Sequence, residues 1–386
     1  AAGELGDALA ELRFAAAQAQ AGPQERVLSD PGDRWLSVAR RVPLGVVAAI
    51  APWNVPLLLA MRTVAPALAL GNAVVLKPDP QTPVAGGVFL AAAFERAGLP
   101  PGVFSLLLGS AETGEALVTD PGNAMVSFTG SSAVGRRIGE LAGGRLKKLA
   151  LELGGNSPFI VLDDADLELA SSAGAWSSFQ HQGQVCMAAS RHLVHESVAE
   201  EYAALLGARA ERLRVGDPNA DPGVDLGPLI SRRQLEKVDR IVSATLAAGA
   251  ELRVGGSHER LFYRPTVLSG VEPSMPAFRE EIFGPVAPIT TFTDDEAAVA
   301  LAARSEYGLV AAVHSRSPER AQELGGRLPA GMVHVNDQTV FDVPEAPFGG
   351  RGASGNGSRF GGDANWESFT QWQWLTVTEE RGQYPF

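Results

Sequence analysis

The chain contains a single cysteine, Cys186, which lies in the small and polar stretch 182–186. One thiol excludes an internal disulfide and a cysteine-rich metal site, so its chemistry is that of one sulfur or none. Most lone cysteines are buried and inert. Other segments of this chain, however, supply the groups that a thiolate attacking a carbonyl carbon needs, and they favour a reactive Cys186.

Two polar side chains have settings that suit such an attack. Asn54 follows the apolar run 46–50, and an amide N–H₂ that faces a developing oxyanion contributes about 3 kcal/mol of transition-state stabilisation. Glu152 lies between Leu151 and Leu153, and apolar surroundings raise the pKa of a carboxyl group toward the range of a general base. Each residue also has a plainer interpretation, namely an asparagine that satisfies loop backbone and a glutamate on an exposed edge.

A cation and a glycine-containing turn indicate a site for a phosphate-bearing ligand. Lys77 follows the apolar run 73–76, and a cation at the end of a strand can bind ribose hydroxyls or phosphate, although a surface lysine is the usual alternative. The segment 128–135 has the pattern strand, tight turn, helix, which exposes backbone N–H groups to a pyrophosphate. Its spacing is not that of the G-x-G-x-x-G motif, so the turn alone is weak evidence.

Short apolar runs alternate with helical stretches, and this alternation predicts mostly parallel sheets covered on both faces. Strands are predicted at 46–50, 73–76, 103–107, 124–128, 159–162, 192–195, 289–292, 310–314 and 332–336. Helices are predicted at 60–70, 84–97, 112–118, 134–141, 167–179, 198–213, 234–248, 296–302 and 319–328. The predicted fold class is α/β, with two doubly wound parallel-sheet domains joined near Gly154. Ligands bind beyond the carboxyl ends of the strands in such sheets, where Asn54 and Lys77 lie.

Two strand-like segments stand apart from these domains. Residues 25–42 read as a hairpin around the turn 30–33. Residues 372–378 alternate as a strand does, but have no obvious partner inside either domain.

Composition narrows the class of protein. A net charge of −12 over 386 residues argues against a nucleic-acid or anionic-membrane surface, because each needs a basic stripe. The sequence has no apolar run long enough to span a bilayer and no signal-like start, so we interpret the chain as cytoplasmic. No metal site is predicted.

Several short motifs, taken in order, resemble those of the aldehyde dehydrogenase family. They are Pro52-Trp53-Asn54, Lys77-Pro78, Phe128-Thr129-Gly130-Ser131, Glu152-Leu153-Gly154-Gly155, Gly183-Gln184-Val185-Cys186, Glu281-Ile282-Phe283-Gly284-Pro285 and Pro347-Phe348-Gly349-Gly350. Each motif is weak or moderate alone, whereas their order and spacing together are specific and cover the chain. The closing pattern 354–362, with Tyr384-Pro385-Phe386, resembles the bacterial benzaldehyde dehydrogenases and implies an aromatic aldehyde as substrate.

The resemblance implies a role for each matching residue. Cys186 matches the nucleophile, Glu152 the base that activates water, and Asn54 the oxyanion donor. The residues matching the NAD or NADP site are Trp53, Lys77, Pro80, Gly130, Ser131, Gly135, Gln234, Lys237, Glu281 and Phe283. The residues matching the substrate pocket are Val55, Leu58, Leu59, Gln180, Val185 and Phe348.

The implied mechanism is thiolate addition to the aldehyde, loss of hydride to the nicotinamide, and hydrolysis of the resulting thioester by a water that Glu152 deprotonates. Two departures from the family pattern matter. Many NAD-preferring relatives carry a glutamate three residues after the lysine, where this chain has Pro80, so the preference between NAD and NADP is open. Relatives also carry a longer segment before the Pro-Trp-Asn motif, and we therefore interpret this chain as part of a longer protein. Without that segment, the cofactor sheet is expected to have an exposed edge.

The resemblance also implies a domain organisation and an assembly. The NAD(P)-binding domain is predicted at 1–24 and 44–154, the catalytic domain at 155–352, and the oligomerisation strands at 25–43 and 370–380. The family's intersubunit arm implies a homodimer or homotetramer. The expected partner is a small-molecule aldehyde, with no nucleic acid and no membrane.

Three alternatives stay open at this point. A coenzyme-A-acylating relative would transfer the acyl group to a thiol, although Glu152 argues against it. A cysteine hydrolase would use His181 or His192 as its base, but would leave Lys77 unexplained. A catalytically silent relative would be consistent with the short segment before Pro-Trp-Asn.

Overall fold

Two α/β units appear in the computed structural model of this chain, which describes residues 2–30, 35–378 and 384–386. Unit 1 comprises the described residues of Ala1–Leu151, Val343–Pro347 and Ser358–Phe386. Unit 2 comprises Glu152–Asp342 and Phe348–Gly357.

Helices and strands alternate as the hydrophobic pattern predicts. Up to the boundary the elements are α1 (Ala2–Ala21), β1 (Glu25–Val27), β2 (Trp35–Pro43), β3 (Val46–Ile50), α2 (Pro56–Ala69), β4 (Ala73–Lys77), α3 (Phe89–Arg96), β5 (Phe104–Leu106), α4 (Ala111–Thr119), β6 (Met125–Thr129), α5 (Ser132–Gly143) and β7 (Lys148–Glu152). Unit 2 adds β8 (Ser157–Val161), α6 (Leu167–Phe179), β9 (Ala189–His195), α7 (Ala199–Arg212), α8 (Arg232–Ala247), β10 (Glu251–Val254), β11 (His258–Glu259), β12 (Phe262–Tyr263), β13 (Thr266–Ser269), α9 (Pro276–Arg279), β14 (Val286–Phe292), α10 (Asp295–Ala302), β15 (Tyr307–Gly308), β16 (Val310–His314), α11 (Pro318–Gly326), β17 (Met332–Val335) and β18 (Arg351–Gly352). The chain then returns to unit 1 with α12 (Ala364–Phe369) and β19 (Thr370–Thr378).

The sheet of unit 1 has the strand order β5-β4-β3-β6-β7. Strands β3 to β6 pair in parallel, and the buried side chains of Val47, Val74 and Met125 place them in the core. From β3 the chain builds outward through β4 and β5, and then returns to the other side of β3 with β6. The sheet therefore has a topological switch between β3 and β6, where ligands bind in folds of this class.

The sheet of unit 2 has the order β10-β13-β14-β9-β8-β16-β17. Its strands pair in parallel except for β10, which runs antiparallel to β13 at one edge. Strand β9, which follows Cys186, is the central strand of the seven. The predicted fold class, α/β with two parallel-sheet units, is confirmed.

Strands β1, β2 and β19 form a separate three-stranded sheet, which we call the arm. Residues 372–378 have no partner in either parallel sheet among the described residues; instead β19 pairs antiparallel with β2, from Thr370↔Pro43 to Thr378↔Trp35. More than 300 residues separate the two strands, so local sequence patterns cannot reveal the pairing. The predicted hairpin forms between β1 and β2, whereas positions 31–34 of its turn, and 379–380, lie outside the described residues.

Candidate active site

In unit 1, predicted site residues follow the carboxyl ends of three adjacent strands, β4, β3 and β6. Asn54 follows β3 and is 8% exposed. Pro56 begins α2 at a position where its missing N–H costs nothing and its ring fixes a helical φ. The start of α2 carries Leu58 and Leu59, which are half-buried and buried respectively. Asn54 is therefore buried just after β3, one of the two strands at the topological switch of the sheet.

Lys77 is the last residue of β4 and is 5% exposed. Its Nζ donates a hydrogen bond to the carbonyl of Pro78 at 3.2 Å. Burial lowers the pKa of Lys77, and the charge of Asp79 opposes this effect. The stem of Lys77 passes Gly114 of α4, where a Cβ would stand 3.7 Å from its Cδ and Cε. A buried cation with spare donors suits the hydroxyls of a ribose.

The turn after β6 presents the N-terminus of a twelve-residue helix, α5. Ser131 is its N-cap, with extended backbone and an exposed side chain. Gly130 leaves room for the ring of Phe128, which a Cβ at that position would overlap. Gly135 is buried in the first turns of α5. The backbone N–H groups of such a helix start suit a pyrophosphate, so this part of unit 1 fits a dinucleotide.

In unit 2, an unusual left-handed turn leads to Cys186. His181, Gln182 and Gly183 have φ values of 51°, 57° and 65°. Gly183 must be glycine for a second reason, because a Cβ there would overlap the carbonyl of Gly284. The buried Gln184 accepts a hydrogen bond from the N–H of Ile230 at 3.0 Å. These constraints fix the backbone that carries the thiol.

Cys186 is half-buried and packs against an apolar cluster of unit 2. Val185 and Phe348, both predicted pocket residues, belong to this cluster together with Leu309 and Val310. Gln180, at the end of α6, is half-buried, and its Oε1 accepts no hydrogen bond among the described residues. Two of the predicted pocket residues thus share a cluster with Cys186, and Gln180 lies six residues before it in the sequence.

His192 has a structural role in β9. Its Nε2 lies 2.7 Å from the hydroxyl of Ser178, and its Nδ1 lies 2.8 Å from the hydroxyl of Tyr202. Burial, with a smaller contribution from the charge of His314, lowers the pKa of His192 to about 3. A fully buried, neutral ring with both nitrogens engaged does not fit the base of a cysteine hydrolase, and His181 is exposed.

Glu152 ends β7 and is 3% exposed, between two leucines that are buried as predicted. The next residues form a linker, 153–156, that leads to β8. A Cβ at Gly155 would overlap the carbonyl oxygen of Cys186. The linker that follows the predicted base therefore lies directly against the backbone of the predicted nucleophile.

Ser354, which sequence reasoning did not select, holds this linker. Its hydroxyl donates to the carbonyl of Gly154 at 2.6 Å, and its own carbonyl accepts from the N–H of Leu153 at 2.9 Å. Ser354 is fully buried. No local sequence signal singles it out, because the contact joins segments 200 residues apart.

Glu281 contacts the same linker from another side. Its Oε1 accepts a hydrogen bond from the N–H of Gly155 at 2.8 Å. Burial raises the pKa of Glu281, while the charge of Lys237 and the Gly155 hydrogen bond oppose the rise. Burial also lowers the pKa of Lys237, opposed by Glu281 and then Glu280. The two predicted cofactor residues thus interact electrostatically beside the linker.

Gln234 and Phe283 also come together. Phe283 has a φ of 56°, which is strained for a residue with a side chain. The amide of Gln234 donates to the carbonyl of Phe283 at 2.7 Å and to that of Ile282 at 3.2 Å. Gln234, predicted to belong to the cofactor site, therefore holds the backbone that presents Phe283.

The described residues contain no group of three or more His, Cys, Asp or Glu side chains arranged to hold a metal ion. Within the same residues, no helix combines the length and apolarity needed to cross a membrane.

The sequence pattern of the aldehyde dehydrogenase family matches residues 1–375 of this chain, which belongs to that family. The chain is 55% identical over 351 residues to the benzaldehyde dehydrogenase (NAD+) of Pseudomonas putida, spanning 91% of this chain and 72% of that protein. It is 52% identical over 374 residues to a vanillin dehydrogenase of an Amycolatopsis species, spanning 97% of this chain and 76% of that protein.

Solved structures agree with these relatives. An NAD-dependent aldehyde dehydrogenase from Sinorhizobium meliloti superimposes with a TM-score of 0.94 at 37% identity, over 100% of this chain and 76% of that one. An NADP-dependent enzyme of E. coli gives a TM-score of 0.93 at 36% identity, over 97% of this chain and 78% of that one. The predictions of the family, of the fold, and of an enzyme that oxidises an aldehyde with NAD or NADP are confirmed, which sets the hydrolase alternative aside.

Proposed function

We propose that this enzyme oxidises an aromatic aldehyde to the carboxylic acid through a covalent adduct on Cys186, with Glu152 activating the water that hydrolyses the thioester. The observation that carries the proposal is the path of the linker 153–156, whose Gly155 lies against the backbone of Cys186. Under this proposal, the base and the nucleophile act on the same carbon in successive steps.

The residues have distinct proposed roles. The thiolate of Cys186 attacks the carbonyl carbon, and the amide of Asn54 stabilises the alkoxide that forms. Loss of hydride from the adduct leaves a thioester, whose thiolate is a better leaving group in hydrolysis than the alkoxide of a serine ester. Glu152 then removes a proton from water, and the acid departs as the thiol re-forms.

The residues that match the family's cofactor site are proposed to hold the dinucleotide. Lys77 would bind ribose hydroxyls, the turn 130–135 the pyrophosphate, and Glu281 with Phe283 the nicotinamide ribose and ring. When bound, the nicotinamide supplies the hydride acceptor. Buried Lys77 and the exposed helix start at Ser131 support this assignment.

The variants Cys186→Ala and Glu152→Gln test the roles of the nucleophile and the base. With benzaldehyde and NAD, we expect the first variant to lose all turnover. We expect the second to form the adduct and transfer hydride once, and then to release acid at least about 100-fold more slowly. Normal acid formation by either variant would refute its role. A requirement of the wild-type enzyme for coenzyme A would favour the acylating alternative.

The aromatic substrate is supported by the two relatives named for benzaldehyde and vanillin, and by the apolar cluster around Cys186. Comparing kcat/KM for benzaldehyde and for an aliphatic aldehyde such as hexanal tests it. A preference for hexanal would contradict the proposal.

We also propose that unit 1 is the NAD(P)-binding domain, that unit 2 is the catalytic domain, and that the arm mediates a homodimer or homotetramer. The exposed apolar side chains of the arm, among them Trp35 and Trp374, support the last point. The cytoplasmic location stays a prediction from the sequence.

A further inference from the structure

Arg191 is a buried cation at the centre of unit 2 to which the catalytic roles above assign nothing. It lies on β9, the central strand, five residues after Cys186, and is 1% exposed. Burial lowers the pKa of Arg191 to about 9, so its guanidinium is still charged at neutral pH. Burying a charge is costly unless its hydrogen bonds are satisfied, so this position needs an explanation.

Each hydrogen bond recorded from this guanidinium goes to a backbone carbonyl. Nε donates to Asn156 at 3.0 Å, Nη1 to Leu301 at 3.0 Å and Nη2 to Ala302 at 3.0 Å. Leu301 and Ala302 end α10, where carbonyls lack helical partners and the helix dipole favours a cation. The guanidinium also lies over the ring of Phe278, 5.1 Å from its centroid.

These contacts join segments that surround the reacting groups. Asn156 ends the linker that follows Glu152, and its side-chain amide donates to the carbonyl of Phe278 at 2.9 Å. Phe278 lies on α9, three residues before Glu281, which itself binds Gly155. Arg191 thus connects the strand after the nucleophile to the far end of the linker.

The linker is restrained along its whole length. Ser354 holds Leu153 and Gly154, Glu281 holds Gly155, and Arg191 holds Asn156. Because these contacts leave the backbone of residues 153–156 little freedom, we expect a shift of the Asn156 carbonyl to move Glu152 as well. A displacement of about 1 Å at a catalytic group can lower a rate by about 100-fold.

We infer that Arg191 is a positioning residue for Glu152, and that its hydrogen bond to Asn156 sets where the linker presents the base next to Cys186. This inference rests on the roles proposed for Cys186 and Glu152. It implies that loss of the contact slows hydrolysis of the thioester, the step that uses Glu152, much more than the attack and hydride transfer that precede it.

The test measures hydride transfer and thioester hydrolysis separately in two variants, Arg191→Lys and Asn156→Ala. Lysine keeps a cation but loses the planar fork that reaches all three carbonyls. Alanine removes the amide contact to Phe278 and leaves the buried cation in place. Stopped-flow absorbance of the reduced nicotinamide gives the rate of hydride transfer, and quenched-flow measurement of acid gives the rate of hydrolysis.

We expect hydrolysis to slow at least about tenfold in both variants, and hydride transfer to change less than about threefold, because only the base is misplaced. Steady-state turnover would then show a burst of reduced nicotinamide, with kcat lowered and KM not raised. Arg320→Lys is the control, since Arg320 binds Asp163 and Asp295 beyond the other end of β8. It should leave the ratio of the two rates unchanged.

Equal slowing of both steps, or no slowing of either, would overturn the inference and leave Arg191 with a purely structural role. Should either variant fold poorly, the other still decides, because both loosen Asn156: the lysine variant at its backbone carbonyl and the alanine variant at its side-chain amide. Failure of the proposed function has a different signature, namely a Cys186→Ala enzyme that still forms acid.

Discussion

Pro80 stands three residues after Lys77 and is exposed in the turn that follows β4. In the cofactor site proposed above, a glutamate there would accept hydrogen bonds from both hydroxyls of the adenine ribose, and would repel the 2′-phosphate of NADP. We therefore expect Pro80→Glu to raise the ratio of kcat/KM for NAD over NADP by about tenfold or more, the value of one charge-assisted hydrogen bond. Initial rates with each cofactor at saturating benzaldehyde measure it.

Pro80→Gln is the matched control for that substitution. It has the same length and hydrogen-bonding reach but no charge, so NADP use should be retained. An unchanged ratio in Pro80→Glu would show that this turn does not face the ribose.

Gln180 provides a residue-scale prediction about the substrate. Its buried Oε1 accepts no hydrogen bond among the described residues, and an unsatisfied buried acceptor costs about 1–3 kcal/mol. A phenolic hydroxyl could satisfy it. We expect Gln180→Met to lower kcat/KM for 4-hydroxybenzaldehyde by about tenfold, the equivalent of one hydrogen bond, and to leave benzaldehyde little changed. Equal effects on both aldehydes would contradict this role.

Individual residues differ in how far the sequence could predict them. The flanking leucines correctly indicated that Glu152 is buried. The apolar run before Lys77 indicated that this lysine lies at the carboxyl end of a strand. Ser354 and Arg191 were missed, because their partners are backbone carbonyls of distant segments. Backbone groups are present at every residue, so no residue type marks such a contact in advance.

At the scale of elements, Ser178, His192 and Tyr202 join α6, β9 and α7 around the segment that carries Cys186. The pKa of His192 is about 3 and that of His314 about 4, against an ordinary value of 6.5, chiefly because both rings are buried. An unfolded chain binds protons at these histidines below about pH 6.5, whereas the folded chain does not. The contribution of these two histidines to the free energy of unfolding is therefore complete above that pH and is lost as the pH drops.

We expect the free energy of unfolding to fall by about 2 kcal/mol per buried histidine between pH 7 and pH 5. His192→Asn should make this fall shallower by about one proton, because one of the two titrating rings is gone. Urea denaturation at pH 7, 6 and 5 measures the slope.

Ser178→Ala serves as the control for this prediction. It removes the hydroxyl from the same network without removing a titrating group, so it should lower stability at every pH and leave the slope unchanged. A wild-type slope in His192→Asn would show that this ring is protonated in the folded protein.

The elements themselves were largely predictable, since β3 and α6 match the predicted ranges. Continuous apolar strands and long amphipathic helices carry their own periodicity. The short strands β10 to β12 and the pairing of β19 with β2 were not foreseen. Strands of two to four residues are too short to show a period, and strand pairing over such distances depends on the whole chain.

At the scale of the whole molecule, the arm exposes apolar surface that single chains rarely leave uncovered. Trp374 is 73% exposed, and Leu375 and Val377 are also exposed on β19, an edge strand of the arm. We expect light scattering to show a dimer or tetramer, and Leu375→Lys with Val377→Lys to dissociate it, because charges at an edge strand oppose pairing with another copy.

Val84→Lys with Val88→Lys is the matched control, since both valines are exposed in unit 1 outside the arm. That variant should keep the wild-type mass. A monomeric wild-type protein, or an arm variant that stays assembled, would contradict the proposed role of the arm.

The return of residues 358–378 to unit 1 has a consequence for biosynthesis. Phe360, Trp366 and Phe369 pack in the same cluster as Val47 and Val64, and Asn72 donates to the carbonyl of Phe369 at 3.0 Å. On the ribosome, this core stays open until those late residues emerge, while most of unit 2 is already complete. Nascent chains thus expose an unfinished apolar surface for most of translation, which makes them substrates for chaperones that bind such surfaces.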